Sequence, residues 1–134
     1  MNPEKAPKQI FIVDDDESVC RSLSILLSTY GFTVGTFTSA EDFFCGVPND
    51  VPGCLILDIH MPKVDGWAVL KRIANSGSKR PVIIASADKA IISCNRALAA
   101  GAIGYLQKPF NDQELVDLIN NAVKTKGEVS DVAI

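Results

Sequence analysis

The stretch Leu55-Ile56-Leu57-Asp58-Ile59-His60-Met61-Pro62 decides how this chain is read. Its first three residues form an apolar run too short for a helix, and Pro52 and Gly53 bound it upstream, which predicts a strand buried on both faces. Asp58 ends that strand. The carboxyl end of a buried central strand lies at the crevice where open α/β sheets bind ligands. Aspartates at strand ends also commonly hold turns by accepting bonds from nearby backbone amides, and for a lone Asp58 that reading would prevail. A second acidic cluster in the same setting changes the balance: Asp14-Asp15-Asp16 directly follows Gln9-Ile10-Phe11-Ile12-Val13.

Outward from these two strands the chain alternates strand and helix. A helix from about Glu17 to Tyr30 carries Val19, Leu23, Leu26, Leu27 and Tyr30 at helical spacing, with Gly31 as its stop. Phe32 to Phe37 reads as the second strand, and Ser39-Ala40-Glu41-Asp42 as a capping box opening a short helix to Cys45-Gly46. Asp65 caps a third helix through Trp67, Leu70 and Ile73 to Asn75. Pro81 to Ala85 is a fourth strand, and Asp88 opens a fourth helix with Ile91, Cys94, Ala97 and Leu98 on one face and a stop at Gly101. Ala102 to Gln107 is the fifth strand, and Asn111 or Asp112 caps a last helix with Leu115, Leu118, Ile119 and Ala122 inward. Five such units predict an α/β domain over residues 9–125 with a parallel sheet covered on both sides by right-handed crossovers. Residues 1–8 read as a flexible amino-terminal tail, and 126–134 as a flexible tail or the start of a linker.

At 134 residues this is one domain with room for a core, and a formal charge of −3 gives no basic field for nucleic acid. Cys20, Cys45, Cys54 and Cys94 lack a C-x-x-C pair, which favours reduced thiols in a cytoplasmic protein over zinc or disulfides. No signal peptide or membrane-spanning run is visible.

The polar residues at the carboxyl ends of the strands are Asp14 and Asp15, Asp58, Ser86 and Lys108, and a parallel sheet brings them to one edge. Clustered carboxylates repel one another unless a hard divalent cation takes their oxygens, and Mg²⁺ suits such an open, hydrated site. Lys108 adds a compact positive charge and Ser86 a hydroxyl, a set able to orient a phosphoryl group. The one histidine, His60, offers no rival triad, so Asp58 is the natural acceptor of an acyl phosphate.

With these residues in place the chain resembles the receiver domain of two-component response regulators. The resemblance is carried by Ile12-Val13-Asp14-Asp15-Asp16, Leu57 to Pro62, Asp65-Gly66, Ala85-Ser86-Ala87 and Gly101 to Phe110, five motifs in order over residues 9–124. It implies a flavodoxin-like, CheY-like (βα)5 sandwich with strand order 2-1-3-4-5, and phosphorylation of Asp58 by a histidine kinase or phosphotransfer protein. It further implies Mg²⁺ held by Asp15, Asp58, the backbone carbonyl of His60 and, through water, Asp14. Ser86 is then the hydroxyl that moves toward the phosphoryl group, Lys108 its ion-pair partner, and Tyr105 the aromatic that follows, with a cis bond at Lys108-Pro109. His60 is an unusual residue at its position; its side chain bears on water access or merely stands in solvent.

Two other functions fit parts of the pattern. The Asp-x-Asp of the first loop resembles the nucleophile loop of haloacid-dehalogenase-type phosphatases, which would make Asp14 the phosphorylated residue; the missing late acidic pair and absent cap count against it. A degenerate receiver that only binds is disfavoured because all five site residues are present. The expected role is therefore a signalling acceptor that assists its own phosphorylation and dephosphorylation without being a turnover enzyme. Its expected output lies on the face of helix four, strand five and helix five, around Ile92 and Tyr105, through a homodimer or effector. Nothing after Val123 offers a second core, and a stand-alone receiver and part of a longer regulator both fit.

Overall fold

The structure, a computed structural model, describes residues 9–61, 64–87 and 91–127, with the side chains of Ile91 and of residues 123–127 outside that description. Along the chain run β1 (Gln9–Val13), α1 (Glu17–Thr29), β2 (Thr33–Phe37), α2 (Ala40–Gly46) and β3 (Cys54–Asp58). Two short strands follow, β4 (His60–Met61) and β5 (Val64–Asp65), then α3 (Gly66–Ala74), β6 (Val82–Ser86), α4 (Ile91–Ala99), β7 (Gly104–Gln107) and α5 (Asp112–Gly127). The main sheet is β2-β1-β3-β6-β7, all parallel, which is the expected 2-1-3-4-5 order once the antiparallel β4–β5 ladder is set apart.

β3 is buried along its whole length because β1 and β6 flank it and helices cover both faces. Its side chains alternate between two cores, as the two-residue period of a strand requires. Leu55 and Leu57 join Phe11, Val13, Val82 and Ile84 beneath α2, α3 and α4. Cys54 and Ile56 join Ile10, Ile12, Ile83, Ala85 and Leu106 beneath α1 and α5.

The helix boundaries follow from side chains that satisfy the free amides of the first turn. Asp16 accepts from the Ser18 and Val19 amides at 2.9 and 3.4 Å, Ser39 from Asp42 at 3.0 Å, and Asp65 from Trp67 at 2.9 Å. At α5 it is Asn111 that caps: its side chain accepts from the Glu114 amide at 2.8 Å while Glu114 accepts from the Asn111 amide at 3.0 Å. Gly31 and Gly101 follow α1 and α4 with φ of 91° and 110°, a conformation an L side chain rarely adopts. The cap expected from Asp88 lies outside the described residues.

Three features depart from the sequence reading. Leu98, expected on the inward face of α4, is 47% exposed, and among the described side chains of that helix Ala97 alone is fully enclosed, because a nine-residue helix on the flank of the sheet covers a narrow seam. On α5, Val116 is buried beside Leu115 and Ile119, and the helix runs on to Gly127 past the point where a tail was expected. Arg80 is 7% exposed, its guanidinium donating to the carbonyls of Val51 (2.8 Å) and Pro48 and packing over Phe11 and Phe43. Of the thiols, all unpaired, Cys20 and Cys54 are buried, Cys94 is half-buried and Cys45 exposed; burial pushes the Cys54 thiol up to about 12. Among the described residues no helix is long and apolar enough to cross a membrane.

Candidate functional site

Strand alternation sorts the site before any distance is measured. Asp14 continues the parity of Ile10 and Ile12, Asp58 that of Cys54 and Ile56, and Lys108 that of Leu106, so all three follow residues of the core beneath α1 and α5. Ser86 continues the parity of Val82 and Ile84, and Tyr105, paired in register with Ile84, belongs to the same side, beneath α4. The charged groups and the two expected switch residues therefore descend from opposite faces of one sheet.

At the carboxyl edge the carboxylates converge. Asp14, Asp15 and Asp58 each offer an oxygen, and these oxygens lie within 4.8 Å of one another. Asp14 and Asp58 are buried, at 3% and 7% exposure, while Asp15 stands in solvent. The Lys108 ammonium reaches Asp14 Oδ2 at 3.1 Å and Asp58 Oδ2 at 3.8 Å. Lys108 is held at the sheet by its own amide, which donates to the carbonyl of Ser86 at 2.7 Å, and the Lys108–Pro109 peptide is cis.

The backbone fixes the remaining oxygens. Asp14 Oδ1 accepts from the Asp16 amide at 3.0 Å, and its carbonyl accepts from the Cys20 thiol at 3.3 Å. Asp58 Oδ1 accepts from the His60 amide at 3.0 Å, so the turn-forming role that strand-end aspartates usually play is present here together with the cluster. That turn depends on Gly66: a Cβ there would lie 2.6 Å from the Cα of Ile59, so α3 can start against the loop only without a side chain. The sequence marked Gly66 as part of a motif, but the close approach that requires it involves a residue seven positions away. The His60 side chain is exposed.

Burial pushes the Asp58 carboxyl above the usual carboxylate range, against the His60 amide and Lys108, which favour its charged form; Asp14 and Asp15 reinforce the rise. Among the described residues the three carboxylates face one ammonium, that of Lys108, which leaves an excess of negative charge. Hard oxygen donors this close, with one member open to water, are the set that a small divalent cation binds while keeping water ligands of its own. Ser86 is fully buried at the end of β6, and Tyr105 is half-buried on β7.

Residues 10–120 match the family model described as response regulator receiver domain. The chain belongs to that family. This receiver domain is 39% identical to the response regulator protein TmoT of Ectopseudomonas mendocina over 115 residues, 86% of this chain and 52% of TmoT. It is 34% identical to the transcriptional regulatory protein FixJ of Bradyrhizobium diazoefficiens, over 86% of this chain and 56% of FixJ. The chain thus spans about half the length of these curated relatives. The crystal structure of FixJ-N superposes with a TM-score of 0.79 at 31% identity, covering 87% of this chain and 93% of that one. The receiver domain is a component of phosphorelay signalling, and its relatives are signalling proteins.

Proposed function

We propose that Asp58 is the phosphoryl acceptor of this receiver, taking the group from a phosphohistidine on a sensor histidine kinase or phosphotransfer protein. The observation that carries the reading is the position of Asp58: buried at the end of the central strand, with Lys108 at 3.8 Å and a further buried carboxylate, Asp14, beside it. An Asp58 oxygen bonds to phosphorus as the phosphorus–nitrogen bond of the donor breaks, and the imidazole leaves with its electron pair and takes a proton from solvent. Asp15, Asp58, the His60 carbonyl and, through water, Asp14 would hold Mg²⁺, which supplies neutralising charge for the incoming phosphoryl oxygens.

The protein's own groups do the positioning. The His60 amide fixes one Asp58 oxygen, and Lys108, anchored through Ser86, presents a cation to the other side of the crevice. Lys108 lies nearer Asp14 than Asp58, so it is positioned to pair with a phosphoryl oxygen when the Asp58 carboxylate loses its charge on forming the acyl phosphate. The Ser86 hydroxyl then moves toward the phosphoryl group and Tyr105 follows, altering the face formed by α4, β7 and α5, where Ile92 is 78% exposed. A second copy or an effector in the cytoplasm would read that change. The domain assists its own phosphorylation and dephosphorylation and does not turn over a substrate.

Incubation with a small acyl phosphate and Mg²⁺ is expected to add one phosphoryl group, read by intact mass. Asp58→Asn should take none, and Asp14→Asn should still be labelled, though more slowly. Labelling lost in Asp14→Asn but kept in Asp58→Asn would instead identify the first loop as the nucleophile.

A further inference from the structure

Helices α3 and α4 leave between them a cleft of about 330 Å³ lined by Trp67, Lys71, Ala74, Asn75, Arg96 and Ala100. Its walls are an indole and two alanines, and its charged lining is entirely cationic. Among the described residues neither Lys71 nor Arg96 forms an ion pair with a carboxylate. The Arg96 guanidinium lies over the Trp67 ring, 4.1 Å from its centroid. Stacking of this kind fixes the plane of the guanidinium while leaving its in-plane N–H donors free for a bidentate acceptor.

Both cations sit near helix carboxyl ends, and part of their charge offsets the carbonyls there. Each helix end amounts to roughly half a negative charge, so two full positive charges leave the cleft with a net charge of about +1. The volume is at the lower limit of ligand pockets, roughly 300–1,000 Å³, and is too small to seat a helix or an added strand. We infer that the α3–α4 cleft is a binding site for a small organic acid, one carboxylate joined to an aromatic or branched apolar group. The carboxylate meets Arg96 and Lys71, and the apolar part lies against Trp67 and the alanines. None of the cleft's lining residues belongs to the Asp14, Asp15, Asp58 and Lys108 cluster.

Trp67 is the only tryptophan in the chain, so its fluorescence reports on the cleft directly. Titrating the whole protein with 3-phenylpropionate should give a saturable change with a midpoint on the order of 1 mM, the affinity expected of so small a ligand. The uncharged analogue 3-phenylpropionamide should give none. Arg96→Gln, measured by calorimetry and checked for native helicity, should bind at least about tenfold more weakly, as the loss of a charge-assisted pair requires. Lys71→Gln, at an exposed position, should weaken binding several-fold and serves if Arg96→Gln does not fold. No saturable response to the acid, an equal response to the amide, or unchanged affinity in the variant that folds would each overturn the assignment.

Discussion

Asp58 is a residue whose ionisation the fold opposes. Its folded-state carboxyl is held above the ordinary value, chiefly by burial, so its charged form costs stability. For an acid shifted upward, the folded chain binds the proton more tightly than the unfolded chain. The cost is absent below the ordinary carboxylate range, grows as pH rises toward the raised value, and is complete above it. Asp58→Asn should therefore be more stable than wild type at neutral pH, by on the order of 1 kcal/mol or a few degrees in Tm. The difference should shrink as pH falls through the carboxylate range. A neutral-pH melting temperature below that of wild type would show that the carboxylate is a net stabiliser. Asp15 differs because it is solvated, so Asp15→Asn should fold normally. Mg²⁺ at about ten times its Kd should stabilise wild type by about 1.4 kcal/mol, and Asp15→Asn much less at the same concentration, measured by thermal melts with and without the ion.

Among the elements, strands and caps were legible because their causes are local. The run Cys54–Asp58 and the cap Ser39 declare themselves within a few residues, whereas the choice between Asn111 and Asp112 at α5 is decided for Asn111 by its reciprocal bonds with Glu114. Leu98 was misread because helical spacing tells which residues share a face but not how far the neighbouring layer extends over it. The convergence of Asp14, Asp58 and Lys108 was legible because one parallel sheet delivers all three strand ends to one edge, whereas the direct Lys108–Asp14 contact was not. Arg80 could not be recognised at all. Its partners, the carbonyls of Pro48 and Val51, lie 32 and 29 residues away, and nothing near Arg80 distinguishes it from a surface cation. Burial lowers its guanidinium from the ordinary value, so the residue is held there by its acceptors and by the Phe11 and Phe43 rings. Arg80→Gln should lower unfolding free energy by about 2–4 kcal/mol in urea titrations. Because Arg80 precedes β6 and the proposed acceptor site follows the strands, labelling of the folded fraction should proceed at the wild-type rate.

On the scale of the whole molecule, the proposed output surface includes residues that the core leaves uncovered. Ile92 and Leu98 both project from α4 at 78% and 47% exposure, although single exposed apolar residues are ordinary on protein surfaces. If this face reads the phosphorylated state, Ile92→Lys should accept phosphate normally and self-associate or bind its effector at least about tenfold more weakly, a difference of about 1.4 kcal/mol. Light scattering on samples phosphorylated to the same extent provides the measurement, and equal association would reduce Ile92 to an unremarkable surface residue.

The division of the strands between two cores has a further consequence for how this chain can change over time. The same odd and even positions that assign Leu55 and Leu57 to one core and Ile56 to the other also assign Asp58, so core and site share a single frame. Exchange of one aliphatic side chain for another leaves that frame intact and costs little. Removal of one residue from β3 reverses the assignment of every position that follows, turning apolar groups into the wrong layer and Asp58 away from Asp14 and Lys108 together. A change of length is thereby tolerable only in the connections, while the central strands can accept substitution alone.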